Sequence, residues 1–307
     1  MKTRFLRCAA IVLGAGAWLA VSAPGVAMTN WRFDTASCAS VTNNGATSGT
    51  CSQGSETLTR DYRSDGTEPA VRVSGWANVG PNVQVGNQYP DNFALRQGSI
   101  THYSGGLGVD NQGAGLADPD TMAARPDDGE GINPEHAIDS DQHTDMVLFD
   151  FQAVGGSSAT WRLTDITIGW SQTDRDISVL RYTGAGAPDL TQSYLDDCCS
   201  GIDSSLTGDG WEVIGNYQVP GSGSTEGTVD ISADTVGLES GYWLVSAYSS
   251  AFGSCAYCGR GNDYFKVLSI TGQGGTPPPP GGQVPEPLTL LLVASGLPLL
   301  RRFRRRV

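Results

Sequence analysis

The residues whose types could do chemistry crowd into one stretch, Gly105 to Phe151. It opens Gly105-Gly106-Leu107-Gly108-Val109 and then carries Asp118, Asp120, Asp127, Asp128 and Glu130. It continues Asn133-Pro134-Glu135-His136-Ala137-Ile138-Asp139, and Asp141, His143 and Asp145 lead into an apolar run ending at Asp150-Phe151. Carboxylates a few ångström apart either raise one another's pKa or recruit a cation. Outside a cell the plausible hard cation is calcium, which takes about six to eight oxygen ligands. Asp139, Asp141, Asp145 and Asp150 fall at i, i+2, i+6 and i+11, which echoes a calcium loop. The echo is incomplete, because Thr144 stands where a helix–loop–helix calcium site needs glycine. The competing reading is a solvated acidic loop in which Asp139 makes local turn hydrogen bonds. His136 and His143 match no metal-ligand spacing with a known mechanism. His102 reads simply as a strand residue.

Catalytic arrangements do not assemble. The chain has no Gly-x-Ser-x-Gly elbow, no His-Glu-x-x-His and no phosphate loop. A glycosidase needs two facing carboxylates, and so many acids make any chosen pair arbitrary. No catalytic residue is therefore assigned, and the expectation is a protein that is not an enzyme. Trp31, Trp76, Trp161, Trp170, Trp211 and Trp243 could stack on sugars, Trp76 and Trp211 being the ones beside Gly-rich turns. A carbohydrate-binding module is thus the alternative, and a secreted hydrolase the second alternative.

The elements that must carry these residues are strands. Short runs rich in Val, Ile, Thr, Tyr and Trp recur between Gly, Asp and Ser, with almost no helical periodicity. Ten strands are predicted: 57–63, 70–79, 93–101, 146–151, 161–170, 177–182, 211–219, 227–231, 242–248 and 264–271. A further strand is predicted around Trp31–Phe33. In the 161–170 strand, Trp161, Leu163 and Asp165 should face one way and Ile166, Ile168 and Trp170 the other, as in a central strand. The fold class implied is all-β, an antiparallel β-sandwich of jelly-roll type spanning residues 28–271. A Gly/Pro-rich linker, 272–283, follows with Pro277–Pro280 as a polyproline-II spacer.

Both ends read as targeting segments. Residues 1–27 have Lys2, Arg4 and Arg7, an apolar stretch Cys8–Val21, and small residues ending at Ala27, the layout of a secretory signal peptide with a helical core. The Sec translocon and a signal peptidase are its expected partners. At the other end, Leu288–Leu300 is uncharged over 13 residues. As a helix it would rise about 20 Å, short of the ~30 Å hydrocarbon core. Arg301, Arg302, Arg304, Arg305 and Arg306 follow at once and would hold its end on the cytoplasmic side of a membrane.

Without these ends, residues 28–283 keep 11 Lys+Arg against 31 Asp+Glu. A core of net charge −20 repels nucleic acid and anionic membranes and attracts cations. Of seven cysteines, six lie in this core: Cys38, Cys51, Cys198, Cys199, Cys255 and Cys258. An even number in an exported chain reads as disulfides. The favoured pairing is Cys38 with Cys51, and Cys198/Cys199 with Cys255/Cys258.

The tail resembles the PEP-CTERM sorting signal: Pro285, Glu286 and Pro287 match its tripeptide, Leu288–Leu300 its transmembrane segment, and Arg301–Arg306 its basic end. That resemblance, over residues 284–307, implies an exosortase of a Gram-negative bacterium as partner. It also implies cleavage near the motif and delivery of the mature protein to the cell surface or extracellular matrix. Within the core, the Leu107-Gly108-Val109 stretch, the acidic loop, the His136–Asp139 step and the segments 168–170 and 174–182 resemble the exosortase-dependent surface protein family. This resemblance implies a surface β-sandwich with a structural or adhesive role, extracellular polysaccharide being a partner to consider.

Overall fold

The computed structural model describes residues 28–34, 42–43, 46–47, 54, 56–64, 67–78, 94–110, 137–140, 144–156, 159–196, 203–259 and 263–274. Among these, the apolar runs become the strands of one large sheet. In chain order they are β1 (Met28–Arg32), β2 (Glu56–Thr57), β3 (Thr59–Ser64), β4 (Thr67–Ala77), β5 (Arg96–Tyr103), β6 (Gly106–Asp110) and β7 (Ile138–Asp139). Then come β8 (Asp145–Asp150), β9 (Trp161–Ser171), β10 (Asp176–Tyr182), β11 (Trp211–Gln218), β12 (Gly227–Asp230), β13 (Tyr242–Ala247) and β14 (Tyr264–Gly274). The spatial order is β11-β10-β13-β8-β4-β5-β6-β14-β9-β12, and every pair among these strands is antiparallel. The expectation of an antiparallel all-β core holds. One helical turn, α1 (Gln152–Gly155), follows β8. The two terminal segments read as helices lie outside the described residues.

β14 is the hub of its half of the sheet. One edge pairs along its length with β9, and the other is shared by β7, β6 and β1 in succession. The two halves of the sheet meet at a short ladder between β4 and β5, Gly75 opposite Gly98 and Ala77 opposite Arg96. A Cβ on Gly98 would lie 2.8 Å from the Asp110 carbonyl, so only glycine lets β6 approach this junction. The β5–β6 turn has a similar demand. Gly106 has φ +117°, and a side chain there would meet the backbone of Val267 in β14.

The sheet then curls back on itself, nearly closed, so that the inner faces of its halves share one core. Val147, Phe149, Val179, Trp243 and Val245 from one half pack with Trp31, Leu163, Ile166, Val267 and Ile270 from the other. Trp31 sits at the centre, its ring 5.0 Å from Phe151 and 4.7 Å from Trp161, both edge-on. The Trp243 indole donates to the Trp161 carbonyl at 2.9 Å, which satisfies its one polar atom.

Period-two alternation explains why the run 146–149 is apolar throughout. Val147 and Phe149 face the main core, while Met146 and Leu148 face a second cluster with Leu180, Leu190, Leu195, Leu206, Trp211 and Leu244. β8 is covered on both faces, so its run 146–149 carries no polar side. β9 corrects the expectation of two opposed apolar faces. Its pairing with β14 slips by one residue between Leu163 and Asp165, a β-bulge at Thr164. The bulge turns Trp161, Leu163, Ile166 and Ile168 all into the one core. The strand is central as expected, flanked by β12 and β14.

Deleting the Trp31 side chain should cost about 3–5 kcal/mol, the usual range for a buried aromatic truncated to Ala. Urea unfolding of Trp31→Ala measures this. A loss under ~1 kcal/mol would mean that the halves close without this ring.

Candidate functional site

Three carboxylates converge at one end of the sheet. Asp174 lies in the turn between β9 and β10, Asp176 is the first residue of β10, and Asp263 immediately precedes β14. One oxygen from each lies within 4.8 Å of the others. Asp176 and Asp263 are both 0% exposed, and Asp174 is half-buried. In extended chain, residues two apart face the same way, which places Asp174 and Asp176 together and turns Arg175 to the opposite side. There Arg175 is buried, donating to the Thr225 carbonyl at 2.9 Å and to the Pro220 carbonyl.

Backbone and hydroxyl donors hold the acids in place. The Asp176 amide donates to Asp263 Oδ1 at 2.8 Å, and the Ser140 hydroxyl donates to Asp263 Oδ2 at 2.9 Å. The Gly259 amide donates to Asp176 Oδ2 at 2.8 Å, and the Arg175 amide to Asp174 Oδ1 at 2.8 Å. Asp176 Oδ1 is buried and has no hydrogen-bond partner. A buried acceptor left unmet costs about 1–3 kcal/mol, more when charged. Burial, with the nearby carboxylates, pushes Asp263 up to about 8, against the pull of the Ser140 and Asp176 donors. Asp176 is pushed up to about 6, again by burial first.

A disulfide frames the site. Cys255 bonds Cys258, and the next residue is the Gly259 that reaches Asp176. This corrects the expected pairing of Cys255/Cys258 with Cys198/Cys199: the Cα atoms of Cys255 and Cys258 lie 5.3 Å apart, within ordinary disulfide reach. Cys38, Cys51, Cys198 and Cys199 lie outside the described residues. The Tyr248 hydroxyl accepts from the Cys255 amide at 3.3 Å and donates to the Gly253 carbonyl at 3.3 Å, seating the loop on the end of β13.

The calcium loop expected at Asp139, Asp141, Asp145 and Asp150 does not gather its members. Asp145 and Asp150 are the two ends of β8, so five residue steps of ~3.4 Å separate them by about 17 Å. No single ion reaches both. Asp150 instead accepts the Gln152 and Ala153 amides, each at 2.8 Å, at the start of α1. Asp139 pairs with Tyr264 in the sheet and favours the charged form of Lys266. Lys266 is buried over the rings of Tyr103 (4.4 Å) and Trp170 (5.2 Å), and burial lowers it to about 7. Asp141, His136, His143, the tripeptide Pro285–Pro287 and the five tail arginines lie outside the described residues. His102 is a strand residue as expected, lying in β5, and it is buried. Its Nε2 lies 2.5 Å from the Phe33 carbonyl, and burial lowers its pKa to about 4.

The tryptophans do not form a sugar platform. Trp31, Trp76, Trp161, Trp211 and Trp243 are at most 9% exposed, and Trp170 is half-buried beside Lys266. Trp76 and Trp211, the two beside turns, belong to the second core cluster. The acid cluster itself is an all-oxygen donor set, suited to a hard cation rather than to zinc or copper. Its third member was hidden from sequence reasoning because Asp263 lies 87 residues beyond Asp176. The Asp-x-Asp spacing at 174 and 176 was the one visible signal.

Comparison with known proteins finds no family model, no curated protein and no solved structure that matches this chain. Among the described residues, no helix is long and apolar enough to cross a membrane.

The raised Asp263 carboxyl fixes the sign of a pH effect. Its folded value stands above the unfolded value of ~3.9, so the folded state holds the proton more tightly. That contribution is complete at low pH and is lost as pH rises toward about 8. Comparing wild type with Asp263→Asn in chelator cancels the opposing effects of His102 and Lys266. The stability difference, wild type minus variant, should fall steadily with rising pH in thermal melts. A flat difference would show that Asp263 titrates normally.

Proposed function

We propose that this is an exported structural or adhesive protein of the cell surface or extracellular matrix, sorted through its C-terminal tail. The two halves of the sheet act as the layers of a jelly-roll-like β-sandwich that resists the outside medium. Residues 1–27 direct the chain to the Sec translocon and are removed by a signal peptidase. Residues 284–307 hold the precursor in the inner membrane until an exosortase cuts near Pro285-Glu286-Pro287.

The observation that carries this reading is the Cys255–Cys258 disulfide. Disulfides persist in oxidising compartments, and this one braces a loop that contributes a hydrogen bond to a buried acid. The strongly acidic core supports the same reading, since it favours solubility and cation attraction over nucleic-acid binding. A structural role also fits the tryptophans, of which Trp31, Trp76, Trp161, Trp211 and Trp243 lie in the two cores.

Expression of the full chain in a Gram-negative host with an exosortase tests the proposal. The mature protein should appear in the surface fraction, starting at Met28, lacking the Arg-rich tail, and with Cys255 and Cys258 oxidised. Replacing Pro285, Glu286 and Pro287 together by Ala should leave an uncut precursor in the membrane fraction. Recovery of uncleaved wild type from the cytosol with free thiols would refute it.

A further inference from the structure

The geometry points to a binding site for a calcium-type divalent cation formed by Asp174, Asp176 and Asp263. Two independent observations meet here. The three carboxylates converge within 4.8 Å, about twice the ~2.4 Å length of a calcium–oxygen bond, so their oxygens fit around one ion of that size. Asp176 is 0% exposed, and its Oδ1 has no hydrogen-bond partner although Oδ2 is held by the Gly259 amide. A carboxylate oxygen fixed in place, buried and unmet is what a cation ligand looks like before its ion arrives.

The surrounding donors suit that role. The Asp176 amide and the Ser140 hydroxyl hold Asp263 by both oxygens, and the Arg175 amide orients Asp174. Each ligand is thus fixed by a neighbour, as metal sites require of their supporting groups. The half-buried Asp174 leaves one side open to solvent. Water can enter there to complete the six to eight oxygens that calcium takes. Magnesium demands near-octahedral geometry at about 2.0–2.1 Å and sheds its waters reluctantly, so it fits a wider protein cluster less well. Arg175, the cation in the sequence between two of the ligands, spends its guanidinium on carbonyls across the strand.

The ion would join three chain segments that meet here: the β9–β10 turn, the start of β14, and, through Gly259, the disulfide loop. The choice of calcium rests on the exported location proposed above. Binding by purified protein does not, so the two can fail separately.

The test is calorimetric titration of chelator-treated full-length protein with Ca²⁺, then with Mg²⁺, alongside thermal melts. Four proteins are compared: wild type, Asp174→Asn, Asp176→Asn, and a control carrying Asp127→Asn and Asp128→Asn in the acidic stretch. Wild type and the control should bind Ca²⁺ more tightly than Mg²⁺ and melt several degrees higher with it. Asp174→Asn should weaken Ca²⁺ binding by about tenfold or more, and Asp176→Asn should abolish it. Should Asp176→Asn fail to fold, the half-buried Asp174→Asn decides. No Ca²⁺ response in wild type, or an undiminished response in Asp174→Asn, would overturn the proposal. A response lost only in the control would place the ion in the acidic stretch and overturn it equally.

Discussion

Burying a carboxylate without a counter-charge is among the most costly arrangements a fold can adopt, and this one gathers three at a single junction. Two are fully enclosed by the sheet. Backbone amides and one hydroxyl offset part of the cost, but such neutral donors do not cancel the mutual repulsion of like charges at this range. The remainder is met by a held proton or by a metal ion. Everything near the junction is arranged around that choice. The disulfide loop is tied down so that Gly259 faces Asp176, and Arg175 is turned away to the Pro220 and Thr225 carbonyls.

The junction exists because the sheet curls. β10 belongs to one half of the sheet and β14 to the other, and the shared core brings their starting ends together. Trp31, Phe151, Trp161 and Trp243 fill the space between the halves. Edge-on ring contacts and the Trp243–Trp161 hydrogen bond give that packing direction as well as area. The same closure encloses Asp176 and Asp263, two acids with raised pKa, beside the half-buried Asp174.

Much of the β architecture was legible in the residues. Each of the ten expected strands is present with ends shifted by a few positions, the 57–63 strand being split at Leu58 into β2 and β3, because Val, Ile, Trp and Tyr runs bounded by Gly and Asp reflect burial on a pleated surface. β6 was missed since Gly105-Gly106-Leu107-Gly108 lacks the β-branched and aromatic residues that mark a strand, yet glycine is what lets that strand lie against its neighbours. The facing of β9 was misread because a bulge at Thr164 leaves no mark on composition. The site was the least legible part. Counting acids drew attention to the dense 118–150 stretch, whereas the clustered acids are a modest Asp-x-Asp and a distant Asp263. Their meeting depends on strand register, which alternation alone does not fix across 87 residues.

Diffraction from crystals grown in calcium, with data collected for anomalous scattering, tests the central claim most directly. The expected result is a peak at the junction, about 2.3–2.6 Å from oxygens of Asp174, Asp176 and Asp263, with Asp176 Oδ1 among them. An empty junction at saturating calcium, with Asp176 Oδ1 satisfied by a water or a protein donor, would contradict it.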